Sequence, residues 1–196
     1  GIPYHALDNY LPRLIKSGFR IAICEQTETP EEMKIKGLKG PLKREIVRII
    51  TPGTIIEDHL LESKSFNFLA CFIIEHFNLY VSWIDISTGV FLSKQIMSSD
   101  KKELCYQINN FITKNNFTEI LISEDFDKNL IPEHFKSILI DIKNEFFFYE
   151  TNLKKLLIFY NKDEKFFNKF SSHQIICCGV LLKYLSNSFL NNMPNL

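Results

Sequence analysis

The sequence predicts a mixed α/β protein (α+β) in two unequal parts: a small front unit of helix and strand, then a mixed sheet flanked by helices. Three observations predict it. The 196 residues carry 45% hydrophobic side chains and 23 basic against 23 acidic groups, the balance of an ordinary folded chain of one or two domains. Three apolar runs, NFLACFII, LYVSWIDI and GVFLSKQI, are divided only by EHFN and STG, the pattern of an antiparallel meander. Beyond it, apolar residues at a spacing of three and four alternate with short apolar runs, which adds helices and further strands to the sheet.

The elements follow in order. Leu7, Tyr10, Leu11, Leu14 and Ile15 line one face of a helix over 6–17, with Pro12 inside it and Gly18 at its C-terminal cap. FRIAIC reads as a strand, QTETPEE as a polar connection, and REIVRII as a second strand that ends in the Pro-Gly turn TPGT. The polar stretch from Ile56 to Ser65 reads as a linker, and the meander follows. A helix is expected from Lys101 to about Asn115, with Leu104, Cys105, Ile108, Phe111 and Ile112 on one face. EILI, ILIDI and FFFY read as three short strands. Ser171 and Gln174 form a capping-box pattern that opens a long helix, expected to lead out of the domain.

Charge is balanced overall and uneven locally. Between Lys34 and Arg48 there are six basic residues (Lys34, Lys36, Lys39, Lys43, Arg44, Arg48) and one acidic residue, Glu45. Gly37, Gly40 and Pro41 make this segment a mobile loop feeding a strand. A basic loop held by a rigid strand is suited to nucleic-acid phosphates, whose neutralisation by Lys and Arg supplies most of the affinity. The competing reading is a solvated charge run.

Several chemistries are excluded by motif. None of the seven glycines belongs to G-x-x-x-x-G-K-S/T or G-x-G-x-x-G, and neither G-x-S-x-G nor H-E-x-x-H occurs. The five cysteines (Cys24, Cys71, Cys105, Cys177, Cys178) make no C-x-x-C pair, and adjacent Cys177 and Cys178 cannot close an ordinary disulfide. They read as small apolar core residues in a reducing cytoplasm. With no membrane-length apolar run and no signal segment, no membrane partner is expected. His5 and His59 stand alone near element boundaries and read as surface or capping residues. Trp83 reads as core. Asp85, near the end of a strand, is the best enzymatic candidate, as the first carboxylate of a metal-dependent nuclease of ribonuclease H type. Glu124, Asp125 and Asp141 are its possible partners, because two-metal chemistry needs several converging carboxylates. The competing role is structural, accepting backbone hydrogen bonds in the D-I-S-T-G turn.

GIPYHALDNYLPRLIKSGFRIAICEQ, then KREIVRIITPGT, then NFLACFI with WIDISTGVF, together resemble the MutS family of DNA mismatch repair proteins. GVLLKYL and MPNL near the close extend the resemblance. It implies that residues 1–58 are the C-terminal half of the mismatch-binding domain. Residues 64–196 would then be a connector domain of ribonuclease H-like fold without nuclease activity, ending at the start of the core. The family's Phe-x-Glu mismatch reader would lie upstream, and the lever, clamp and ATPase domains downstream. Gly1 and the unclosed end SNSFLNNMPNL fit a slice of a longer chain. Such a piece is expected to be no enzyme and to bind no cofactor, ATP and Mg belonging to the full-length family. The resemblance puts Arg44 first as a DNA-backbone contact, with Lys43 and Arg48 behind it. Strand alternation places Arg44 and Arg48 on one face. The expected partners are double-stranded DNA, a MutL-type repair protein and, in the full-length family, a second copy. Docking of the MutL-type partner falls on the helix near Thr151, at Lys154 and Lys155. A protein-interaction module without DNA binding is the remaining alternative.

Overall fold

The computed structural model describes residues 6–37, 39–56, 60 and 66–190. His5, His59 and nearly all of the expected linker lie outside them. Among the described residues no helix is long and apolar enough to cross a membrane.

The front unit begins with α1 (Leu7–Lys16), where Leu11 and Ile15 are buried and Leu7 packs beside them, while Tyr10 and Leu14 stay exposed. The buried face is thus the narrower i, i+4 row. Gly18 (φ 78°) donates to the Ile15 carbonyl at 2.8 Å and Phe19 to that of Leu14 at 3.1 Å, a Schellman closure that needs the left-handed glycine. Strand β1 (Ile21–Gln26) pairs antiparallel with β2 (Arg44–Ile50). Between them QTETPEE is not a plain connection. Thr29 and Glu32 exchange hydrogen bonds as a capping box, Pro30 fits the first turn, and α2 (Pro30–Ile35) forms with Met33 buried.

The larger unit is a five-stranded sheet of order β5-β4-β3-β6-β7, formed by β3 (Phe68–Glu75), β4 (Asn78–Asp85), β5 (Val90–Ile96), β6 (Glu119–Ser123) and β7 (Leu139–Ile142). The first three make the antiparallel meander, and β6 and β7 add in parallel. The side chains of β3 alternate. Phe68, Ala70 and Phe72 face α3 (Lys101–Asn115), with Leu104, Ile108 and Ile112. Leu69 and Cys71 face α6 (Ser172–Phe189), with Cys177, Val180, Leu181 and Leu185. The mixed sheet is therefore covered on both faces, as its near-continuous burial in β3 and β4 requires.

Four expectations are corrected. FFFY is no strand: Asn144–Phe147 is a 3-10 turn that leads into α4 (Tyr149–Tyr160), followed by the short α5 (Glu164–Phe167). The long helix does not lead out of the domain. It lies across the sheet because residues on several of its sides, Cys177, Leu181 and Leu182 among them, are apolar and wholly buried. It also packs on α4 where Gly179 lets Asn152 approach. Cys24 is exposed, since it sits toward the loop end of the β1–β2 hairpin rather than in a core. The basic run is only partly loop, because Lys34 lies in α2 and Lys36 caps it.

Candidate nucleic-acid interface

Six basic residues converge on the outer end of the β1–β2 hairpin in sequence, and the structure sorts them by partner. Lys36 reaches Glu28 at 2.7 Å and Lys43 reaches Glu45 at 2.6 Å, contacts whose hydrogen bonds hold both amines above their ordinary pKa. Both lysines are exposed, Glu28 is half-buried, and each pair already neutralises a cation that a phosphate would otherwise take. Lys34, Lys39 and Arg44 are exposed and form no ion pair among the described residues. Arg44 stands at the first residue of β2, held by Gln26 across the hairpin.

Arg48 is the correction. Strand alternation would place it beside Arg44, but the pairing slips between Ile23 and Cys24: Ile23 faces Arg48 and Cys24 faces Ile46, which leaves Val47 as an extra residue. Such a bulge reverses the facing of everything beyond it. Arg48 consequently turns toward the larger unit. Its guanidinium carbon lies 4.6 Å from the Phe189 ring centroid, and Nη2 donates to the Thr54 carbonyl at 3.1 Å. Its work is internal.

The same junction holds a residue that sequence reasoning missed. Glu119, only 3% exposed, accepts hydrogen bonds from Thr51 Oγ1 at 2.6 Å and from the Gly53 amide at 3.1 Å. Burial pushes its carboxyl pKa above the ordinary 4.5, against the pull of Thr51, Gly53 and Arg20. Nearby, Arg20 donates to Tyr184 Oη at 3.1 Å, and Asn67 Nδ2 to the Pro52 carbonyl at 2.9 Å. The basic strand β2 is thereby fastened through the TPGT turn to the sheet and to α6. A charged residue at the head of the apolar strand EILI was the available signal.

Asp85 takes the structural role. It is 1% exposed and accepts from the Ser87 amide at 2.9 Å, Ser87 Oγ at 2.6 Å and the Asn67 amide at 3.2 Å. The topology keeps the other carboxylates away. Asp85 is level with Phe68 at the start of β3, whereas β6 runs parallel to β3 and carries Glu124 and Asp125 beyond its opposite end. Those two bind Asn144, and Asp141 binds Lys128 at 2.7 Å. Among the described residues no three His, Cys, Asp or Glu side chains are grouped to hold a metal ion. On α4, Lys154 is exposed and Lys155 half-buried, its pKa lowered by burial and by nearby Lys183.

Comparison with known proteins agrees with this architecture. The family model described as MutS domain I matches residues 1–59, and that of MutS domain II matches residues 67–196. The DNA mismatch repair protein MutS of Wolbachia pipientis wMel is 36% identical over the whole chain, that of Ehrlichia chaffeensis 35% and that of Rickettsia canadensis 39%. The chain spans 22–24% of the length of these relatives. Two family models that together cover nearly all of the chain, with relatives 35–39% identical over its whole length, establish that the chain belongs to the MutS family and carries its domains I and II.

Proposed function

We infer that this chain supplies DNA-backbone contacts to a mismatch-repair protein and links its DNA-binding part to the rest of the molecule. The observation that carries this reading is Arg44: exposed, without an ion pair among the described residues, and rooted in a strand whose far end is buried. Lys34 and Lys39 stand with it. Lys43 contributes less, since Glu45 must first release it. Phosphate contacts of this kind position a protein without reading bases, so the chain binds duplex DNA without preferring a mismatch. The link runs through Thr51, Gly53 and Glu119 into the sheet. In the whole protein, a cytoplasmic homodimer, ATP and Mg belong to other domains, and a MutL-type partner docks on the outer face of α4 near Lys154 and Lys155. The test is a titration of matched and mismatched duplexes over a range of salt. Equal, salt-sensitive binding of both supports the reading, and absence of binding at low salt refutes it in favour of a protein-interaction module.

A further inference from the structure

A second surface lies on the opposite part of the larger unit. Strand β5 is an edge of the sheet, paired with β4 alone among the described residues. On the face toward α3 it presents Leu92, Lys94 and Ile96, and the helix does not close over them. Two adjoining hollows of about 420 and 230 Å³ share Lys114 as a wall and together run the length of this gap. The floor is Phe68, Trp83 and Phe111, and the rim carries Leu92 at 46% exposure. From Leu92 to Ile96 is about 13 Å at roughly 3.3 Å per residue, enough for four residues of an added strand.

The charged residues lining both hollows are Lys94 and Lys114, with no acid beside them, and neither lysine forms a salt bridge among the described residues. Trp83 Nε1 is buried without a hydrogen-bond partner among the described residues. An open strand edge supplies backbone donors and acceptors, and alternate side chains of an added strand enter the hollows. We propose that the β5–α3 groove is a docking site for an extended segment of a partner protein in which acidic and aliphatic residues take turns at every second position, so that both kinds stand on the strand face turned toward α3. The carboxylates face Lys94 and Lys114, and the aliphatic side chains cover Leu92 and the aromatic floor. Nucleic acid fits less well: Phe66 offers one open ring at 55% exposure, but Phe68 and Trp83 are both 7% exposed, and a stacked base makes no use of the backbone donors and acceptors along β5.

The test uses a fluorescein-labelled octapeptide Asp-Thr-Ile-Thr-Asp-Thr-Ile-Thr, which puts Asp and Ile in turn on one strand face, titrated against the chain and against the full-length protein. Trp83 is the chain's single tryptophan, so its emission reports occupancy of the groove. The expected result is saturable binding to both proteins, with a change in Trp83 emission in the chain. The charge reversal Lys94→Glu with Lys114→Glu weakens it by about tenfold or more, and the same peptide with Lys in place of each Asp restores binding to that variant. Leu92→Ser, at an exposed position that leaves folding intact, removes the apolar rim without adding charge and weakens it as well. The proposal is overturned by absence of saturable binding to either protein, by equal affinity of the charge-reversed variant, or by an oligothymidine 12-mer that displaces the peptide and binds more tightly.

Discussion

Glu119 and Thr51, 68 residues apart in the chain, meet in a buried 2.6 Å hydrogen bond that ties the basic hairpin to the mixed sheet. The bond closes a set of contacts in which the Gly53 amide also points at the carboxylate, Asn67 holds the Pro52 carbonyl, and Arg48 holds that of Thr54. A turn with its polar groups so satisfied moves with the sheet.

Glu119 gives stability a pH dependence of known sign. Its folded-state pKa is raised above 4.5, chiefly by burial, so the folded protein holds this proton more tightly than the unfolded chain. The stabilisation is complete below the unfolded value and is lost as pH rises through the folded one. Thermal unfolding across that window should show Glu119→Gln flattening this component. Glu119→Ala, which leaves Thr51 and Gly53 without their acceptor, should cost about 1–3 kcal/mol at any pH.

Arg44 and Arg48 should separate cleanly. Arg44→Ala lowers the slope of log affinity against log salt by roughly one and leaves the melting temperature unchanged. Arg48→Ala keeps the slope and lowers stability by about 1–2 kcal/mol, through loss of the Phe189 and Thr54 contacts. Duplex titration and urea unfolding of both variants measure the two effects, and exchanged phenotypes would contradict the bulge.

Asp85→Asn tests the buried turn. An amide retains the acceptor for Ser87 and opposes the Asn67 amide with a second donor, so a loss of about 1–3 kcal/mol is expected. Incubating the wild-type chain with hybrid and branched substrates and Mg²⁺ should yield no cleavage. Cleavage that disappears in the variant would restore the nuclease reading.

Gly179→Ala should loosen the contact of α6 with α4. An added Cβ there runs into the side chain of Asn152, whose amide group donates to the Phe146 and Phe148 carbonyls. Overpacking at such a point costs about 1–3 kcal/mol. Hydrogen exchange in Tyr149–Tyr160 is the direct measure, and unchanged protection there would rule the contact unimportant.

Much of this was legible along the chain. The meander showed in closely spaced apolar runs with short divisions, α3 in its three-and-four spacing, and α6 in its Ser171–Gln174 box, because each signal is carried by residues near one another in sequence. What misled was also local. FFFY has the composition of a strand, yet 3-10 turning packs Phe146 and Phe147 against the α6 side of the core and leaves Phe148 exposed. Of the candidate interface, Arg44 was visible as a basic residue heading a strand, whereas nothing in the spacing announced the slip at Val47.

By itself the sequence determined the family, the order of elements and the basic character of the front hairpin, since these rest on side-chain type and short-range period. Only the tertiary structure decided which cations remain available and which carboxylates converge. A one-residue bulge turns Arg48 inward, Glu28 and Glu45 claim two lysines, and antiparallel pairing of β3 with β4 sends Asp85 to the end of the sheet opposite Glu124. Facing and distance across strands arise from pairing between segments far apart in the chain, which composition and period do not encode.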